Sequence, residues 1–196
     1  MATIHYCEQC TPEWDALRLG TITATCTARV VGKGSGHDNL LKDKAREILT
    51  GIKTPHTVTD AMLQGIAREP YALYRYKALH PELEVYTVGF VSLTDYIGVS
   101  PDALVGDDGL WECKSPLVTT HKKYLDDSKK LVATYKWQVQ DQLYVTGRNW
   151  CDLFSYNPEC KDDHVCVRVY RDEDAITRIR LATDQFVKEL IEITVM

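Results

Sequence analysis

The hydrophobic repeat of this chain changes period four times, and those changes limit what it can fold into. Between Asp38 and Leu79 the apolar residues recur at helical spacing: Leu40, Leu41, Ala45, Ile48 and Leu49, then Met62, Ile66, Leu73 and Tyr76. Each set lies on one face of a helix. From Glu84 the repeat shortens to two, predicting strands over Glu84–Leu93, Tyr96–Val99 and Leu110–Lys114. Val105-Gly106-Asp107-Asp108-Gly109 is a strong hairpin turn. Helical spacing returns over Thr119–Asp126 and Lys129–Val145. Two more strands, Trp150–Tyr156 and His164–Tyr170, precede a closing amphipathic helix over Asp172–Ile193. This order predicts a mixed α/β domain whose central sheet is flanked by helices.

Local punctuation refines the pattern. The first twenty residues read as loop. Thr23 is placed to cap a short helix from Ala24, and Asp38 to cap the next, with Gly51 as its stop. Pro70 is expected to kink or restart the second long helix. Gly32-Lys33-Gly34-Ser35-Gly36 reads as a flexible loop. It lacks the Gly-Lys-Ser/Thr ending of a phosphate-binding loop, which argues against a nucleotide site.

A length of 196 residues suits one domain spanning 1–196, large enough to fold without a disulfide or metal staple. No apolar run is long enough to span a bilayer. The first ten residues lack the basic start and apolar core of a secretory signal, so the cytoplasm is the expected compartment. A net charge of −5 argues against a protein that coats nucleic acid by bulk positive charge. It leaves room for a nucleic-acid enzyme with acidic metal ligands and basic residues confined to a groove. The 7 cysteines are odd in number and read as reduced thiols. Cys7 and Cys10 have zinc-half-site spacing, but Cys151, Cys160 and Cys166 are too scattered to complete it.

The chemistry concentrates between Gly98 and Pro116. Asp102 opens the predicted hairpin, and Glu112 and Lys114 lie on its returning strand. A period of two puts Glu112 and Lys114 on one face, with Cys113 opposite, and the turn brings Asp102 alongside Glu112. Two carboxylates and a backbone carbonyl are hard oxygen ligands suited to Mg²⁺. Such an ion polarises a phosphodiester and acidifies a water. The lysine can orient or deprotonate the attacking water, or stabilise developing negative charge. Glu-x-Lys alone is common on ordinary surface hairpins; Pro101-Asp102 at hairpin distance makes the pattern more specific. Two features add to it. Glu69 is a carboxylate on the apolar face shared by Ile66 and Leu73, where it needs a partner. Gln138 and Gln140 lie on the helix after the strand, and either can reach a phosphate or a water.

The set Ser100-Pro101-Asp102 with Glu112-x-Lys114 resembles the PD-(D/E)XK nuclease core, and more specifically the lambda-type phage exonucleases, or YqaJ-like viral recombinases. Three further blocks occur in the same order. Trp14-Asp15-Ala16-Leu17-Arg18-Leu19-Gly20-Thr21-Ile22-Thr23-Ala24-Thr25 resembles Trp-x-x-x-Arg-x-Gly-x-Ile-Thr-Ala-Ser. Gly65-Ile66-Ala67-Arg68-Glu69 resembles the family's Gly-x-x-x-Glu, and Tyr135-Lys136-Trp137-Gln138-Val139-Gln140 its glutamine helix.

The resemblance implies Asp102 and Glu112 as main metal ligands, with the Cys113 carbonyl as a third and Glu69 sharing a second Mg²⁺ with Asp102. Mn²⁺ is expected to substitute. It implies that Lys114 serves the nucleophilic water and Gln140 orients it. Arg18, Thr25 and Ser100 would bind a DNA 5′-phosphate; Thr25 stands where serine is usual, which keeps the hydroxyl and adds a methyl. Lys33 is a weak addition to that pocket. The implied activity is 5′→3′ digestion of one strand from the ends of double-stranded DNA, leaving 3′ overhangs for recombination. A homotrimeric ring, a single-strand annealing partner and a phage or prophage origin in a bacterial cytoplasm go with it. RecB-like nucleases compete, since Gln140 and Tyr144 fit their Gln-x-x-x-Tyr motif, as do restriction-type endonucleases and a non-catalytic DNA-binding module of the same fold.

Overall fold

A computed structural model describes residues 2–55 and 57–195. Its framework is a five-stranded sheet in the order β2-β5-β6-β7-β8. The strands are β2 (Val85–Tyr86), β5 (Ala103–Val105), β6 (Gly109–Lys114), β7 (Trp150–Tyr156) and β8 (His164–Tyr170). β5 and β6 form the expected hairpin. β6 and β7 are parallel, and β7 and β8 antiparallel. A parallel pair needs a long crossover, here α5 (Val118–Asp126) and α6 (Ser128–Thr146). A smaller sheet orders β1 (Thr3–His5), β3 (Phe90–Ser92) and β4 (Gly98–Val99) as β1-β3-β4. The remaining helices are α1 (Pro12–Arg18), α2 (Thr27–Gly32), α3 (Ser35–Thr50), α4 (Asp60–Leu79) and α7 (Glu173–Val195). The architecture is the mixed α/β fold expected, a central sheet flanked by helices.

Alternation along β6 sorts its side chains between two cores. Leu110 points to the α6 side, among Leu131, Leu143 and Leu153. Trp111 points to the α4 side, with Ala72, Tyr76 and Phe154. A third cluster joins α2, α3 and α7 through Val30, Leu40 and Phe186.

Several local expectations are corrected. Glu84–Leu93 is two strands in different sheets. Gly89 lies between them, and a Cβ there would stand 2.3 Å from the Cys7 carbonyl oxygen. That close crossing turns the chain from one sheet to the other. The first twenty residues hold β1 and α1, the latter capped by the Thr11 side chain, which accepts the Trp14 N–H. Both elements are short and partly exposed, so periodicity does not reveal them. Thr23 precedes a 3-10 turn, Ala24–Cys26, but caps no backbone N–H with its hydroxyl. Asp38 lies inside the first turn of α3, which starts at Ser35, while Gly51 does end it. Lys33 and Gly34 make a tight link with φ of 57° and 75° rather than a flexible loop. Pro70 sits within α4 without ending it. Its missing bond falls near exposed Ile66, where water can take the free carbonyl.

Candidate active site

The hairpin and one helix, α4, bring the predicted carboxylates together. Ala103 pairs with Trp111, so Asp102 falls opposite Glu112. One Asp102 oxygen accepts the Cys113 backbone N–H at 2.7 Å, fixing the aspartate against β6. Lys114 Nζ donates to Glu112 Oε1 at 2.6 Å, as expected for two residues on one strand face. The Lys114 ammonium also lies 4.8 Å from the centre of the Tyr135 ring. Glu69 arrives from α4 at the far end of β6. It lines a cavity of about 400 Å³ with Gly65, Ile66, Cys113, Lys114 and Tyr135.

Electrostatics ties these groups into one cluster. Burial, then the charges of Glu112 and Glu69, push the Asp102 carboxyl well above the usual aspartate range. Glu69 moves the same way, by burial first and by Glu112 second. Burial opposes the charge on Lys114, but Glu112 and Asp102 outweigh it and raise its pKa. Lys114 is therefore a firmly held ammonium, suited to orienting a water or meeting negative charge.

Three carboxylates face this single ammonium. Excess buried negative charge is what a divalent cation relieves, and the donors are hard oxygens, so the set fits Mg²⁺ or Mn²⁺. Among the described residues, no three His, Cys, Asp or Glu side chains are already gathered tightly enough to hold an ion. Glu112 explains part of this. Lys114 and Gln138 both donate to its Oε1, and Gln142 donates to Oε2 at 2.7 Å.

The glutamine expectation is corrected here. Gln140 faces away from the carboxylates: its amide donates to the Tyr170 carbonyl at 2.8 Å and accepts the Asp172 N–H at 2.9 Å. Gln138 and Gln142 reach the site instead. They are four residues apart and share a helix face, whereas Gln140 lies roughly 200° round from Gln138. Gln142 is the site residue that motif matching passed over, although helical spacing from Gln138 points to it.

Arg18 and Ser100 meet as expected, with Arg18 Nη1 donating to Ser100 Oγ at 2.9 Å. Trp14 completes this corner. Its indole N–H also reaches Ser100 Oγ at 2.9 Å, and the guanidinium lies 4.0 Å from the ring centre. Asp15, the obvious alternative partner for Arg18, pairs with Lys53. Thr25 is exposed and its hydroxyl lies 3.3 Å from that of Thr23, with no hydrogen bond to Arg18 or Ser100. Lys33 lies in a separate groove, with His37, Arg178 and Glu189.

A family model for the YqaJ-like viral recombinase domain matches residues 13–149. The fold is similar to the crystal structure of an alkaline exonuclease, LHK-Exo, from Laribacter hongkongensis. That match has a TM-score of 0.85 and 36% identity, covering 93% of this chain and 94% of that one. The same protein in complex with dAMP matches with a TM-score of 0.86. A phage related exonuclease from Haemophilus somnus 129PT shares the fold at 11% identity, with a TM-score of 0.72 over 88% of this chain and 94% of that one. No curated protein matches the chain. With the carboxylate–lysine cluster at the end of β6 and the matched family model in the same residues, the chain belongs to the YqaJ-like viral recombinases, the lambda-type exonucleases of the PD-(D/E)XK superfamily.

Proposed function

We propose that the protein is a Mg²⁺-dependent 5′→3′ exonuclease that digests one strand of linear double-stranded DNA and leaves 3′ single-stranded overhangs. The observation that carries this reading is the convergence of Asp102, Glu112 and Glu69 on Lys114 in the fold of an alkaline exonuclease that is 36% identical. That relative has been solved with dAMP, and a deoxynucleoside monophosphate is the unit that stepwise exonuclease cleavage releases.

Asp102 and Glu112, with the Cys113 carbonyl, are the proposed ligands of one ion, and Glu69 with Asp102 of a second; Mn²⁺ substitutes. When bound, the ions polarise the scissile phosphodiester and acidify a water. Lys114 holds that water or the developing charge with its ammonium, and Gln138 and Gln142 keep the Glu112 carboxylate aimed. Arg18 and Ser100 grip the 5′-phosphate, the most highly charged phosphate of the strand, and Thr25 is proposed to add a hydroxyl once DNA is bound. The guanidinium is suited to this because its planar fork matches phosphate oxygens. Three copies would close a ring around duplex DNA, with a single-strand annealing protein taking the product strand in a bacterial cytoplasm.

The test is digestion of linear duplex and of covalently closed circular DNA, with Mg²⁺ and with chelator. The expected result is loss of the linear DNA alone, only with the ion, and none with Glu112→Ala. Cutting of the closed circle would identify an endonuclease instead.

A further inference from the structure

The helix that brings Glu69 to the site is seated by its C-terminal half, where Tyr76 packs on Trp111 and Phe154 and its hydroxyl donates to Asp152 at 2.7 Å. Of twenty residues in α4, Ala72 and Tyr76 are the buried ones, while Met62, Leu63 and Ile66, N-terminal to Glu69, are exposed. Glu69 thus sits where the buried stripe ends, one turn before Ala72, and no side chain of the helix N-terminal to it is buried. Polar ties at the rim of that contact add to this seating. Arg68, next to Glu69, pairs with Glu159, and Arg75 lies 3.3 Å from Asp163. Both acids belong to the connection between β7 and β8.

That connection is itself fastened to the catalytic strand. Asn157 is fully buried, and its amide donates to the Pro116 carbonyl at 2.8 Å, two residues beyond Lys114. The Asn157 N–H donates to the Asp163 carbonyl at 2.8 Å, and the Glu159 N–H to Asn157 Oδ1 at 3.0 Å, which closes the loop on itself. One short loop thus spans from the end of β6 to α4. Asn157, Glu159 and Asp163 all lie beyond the residues that the family model matches, 13–149.

We propose that the Asn157–Asp163 connection is a positioning brace, with Glu159 and Asp163 as positioning residues that set Glu69 against Asp102 and Glu112. This rests on the reading of Glu69 as a metal ligand. Loosening the brace weakens the ion site while leaving the remaining chemistry in place, because Glu159 and Asp163 belong to neither the carboxylate cluster nor the Arg18 corner. Residues that orient metal ligands from outside typically change metal affinity ~10- to 100-fold when removed.

The test compares wild type, Glu159→Arg, the charge swap Arg68→Glu/Glu159→Arg, and Glu69→Gln. Mn²⁺ binding to the DNA-free protein is read by electron paramagnetic resonance. Amide hydrogen exchange is followed over residues 60–79, and the Mg²⁺ dependence of duplex digestion is titrated. For Glu159→Arg the expected result is Mn²⁺ affinity lower by ~10-fold and faster exchange in α4. Half-saturation by Mg²⁺ shifts upward with little change in rate at saturating Mg²⁺. The charge swap restores all of these. Wild-type Mn²⁺ binding in Glu159→Arg, alongside weakened binding in Glu69→Gln, overturns the brace and leaves the site reading standing. A swap that fails to restore binding also overturns it. Unchanged Mn²⁺ binding in Glu69→Gln overturns the assignment of Glu69, and the brace falls with it.

Discussion

Glu112 is only 2% exposed, yet both of its oxygens have donors, one of them the Lys114 ammonium. Burying a charge is costly unless it is paired and hydrogen-bonded, so this carboxylate is held in one orientation. In the proposed mechanism Lys114 contributes its charge where negative charge grows during cleavage, and an interaction that strengthens in the transition state changes rate more than binding. Lys114→Ala is therefore expected to bind duplex ends within a few-fold of wild type while cutting them slower by roughly 100-fold or more. Gel-shift and single-turnover digestion assays separate the two; equal losses in both would make Lys114 a DNA-holding residue. Arg18 is fixed differently, between the Trp14 ring and Ser100 Oγ. Duplex with 5′-phosphate ends is expected to be digested faster than duplex with 5′-hydroxyl ends, and Arg18→Ala to erase most of the difference. Equal wild-type rates on the two substrates would remove the phosphate role.

Helix α6 is the element through which the separate layers communicate. Gln140, Asp141 and Gln142 are consecutive and all buried, and steps of about 100° aim them at three neighbours. Gln142 reaches Glu112 on β6, Gln140 reaches the start of α7, and Asp141 accepts the Thr27 hydroxyl of α2 at 2.6 Å. The other Asp141 oxygen has no partner. Burial pushes this carboxyl from 3.8 up to about 7, against the opposing pull of the Thr27 bond. The folded state thus holds the proton more tightly than the unfolded chain. The stabilisation is complete below pH 4 and is lost as pH rises through about 7. At 1.36 kcal/mol per unit the loss is on the order of 4 kcal/mol. Asp141→Asn keeps the shape and an acceptor for Thr27 without the charge. Urea unfolding at pH 5 and pH 8 is expected to show a smaller difference for the variant than for wild type, with the variant more stable at pH 8. An unchanged difference would place the pH dependence elsewhere. None of this was legible from periodicity: the pattern predicts a helix over Lys129–Val145, but a run of polar residues normally marks a solvated face.

At the scale of the molecule, charge and assembly are linked. The chain carries a net charge of −5, so bringing its active site to a polyanion calls for basic residues collected on one side. The proposed closed ring would provide this by turning that side into a lumen and leaving the acidic surface outside. Closure requires two different patches of each copy to meet head to tail. Light scattering of the DNA-free protein is expected to give the mass of three chains, each of 22.3 kDa. A monomer at micromolar concentration would remove the ring and the threading that depends on it. The described helices include none long and apolar enough to cross a membrane.

The β5–β6 hairpin, the helix–sheet alternation and the meeting of Asp102, Glu112 and Lys114 were all legible in the sequence, because each follows from a short-range repeat. A period of two puts Glu112 beside Lys114, and a turn of known type puts Asp102 opposite. Arg18 and Ser100 were legible as motif residues, but their contact spans 82 positions and no local rule predicts it. The tertiary structure decided what repeats leave open. It divided Glu84–Leu93 between two sheets, because the chain crosses Cys7 at Gly89. It turned Gln138 and Gln142, not Gln140, toward Glu112, because the rotation of α6 is set by what packs on all of its sides. It also joined α4 to the end of β6 through Asn157, Glu159 and Asp163. Sequence periodicity names the face of a helix; only packing against its neighbours decides which residue that face meets.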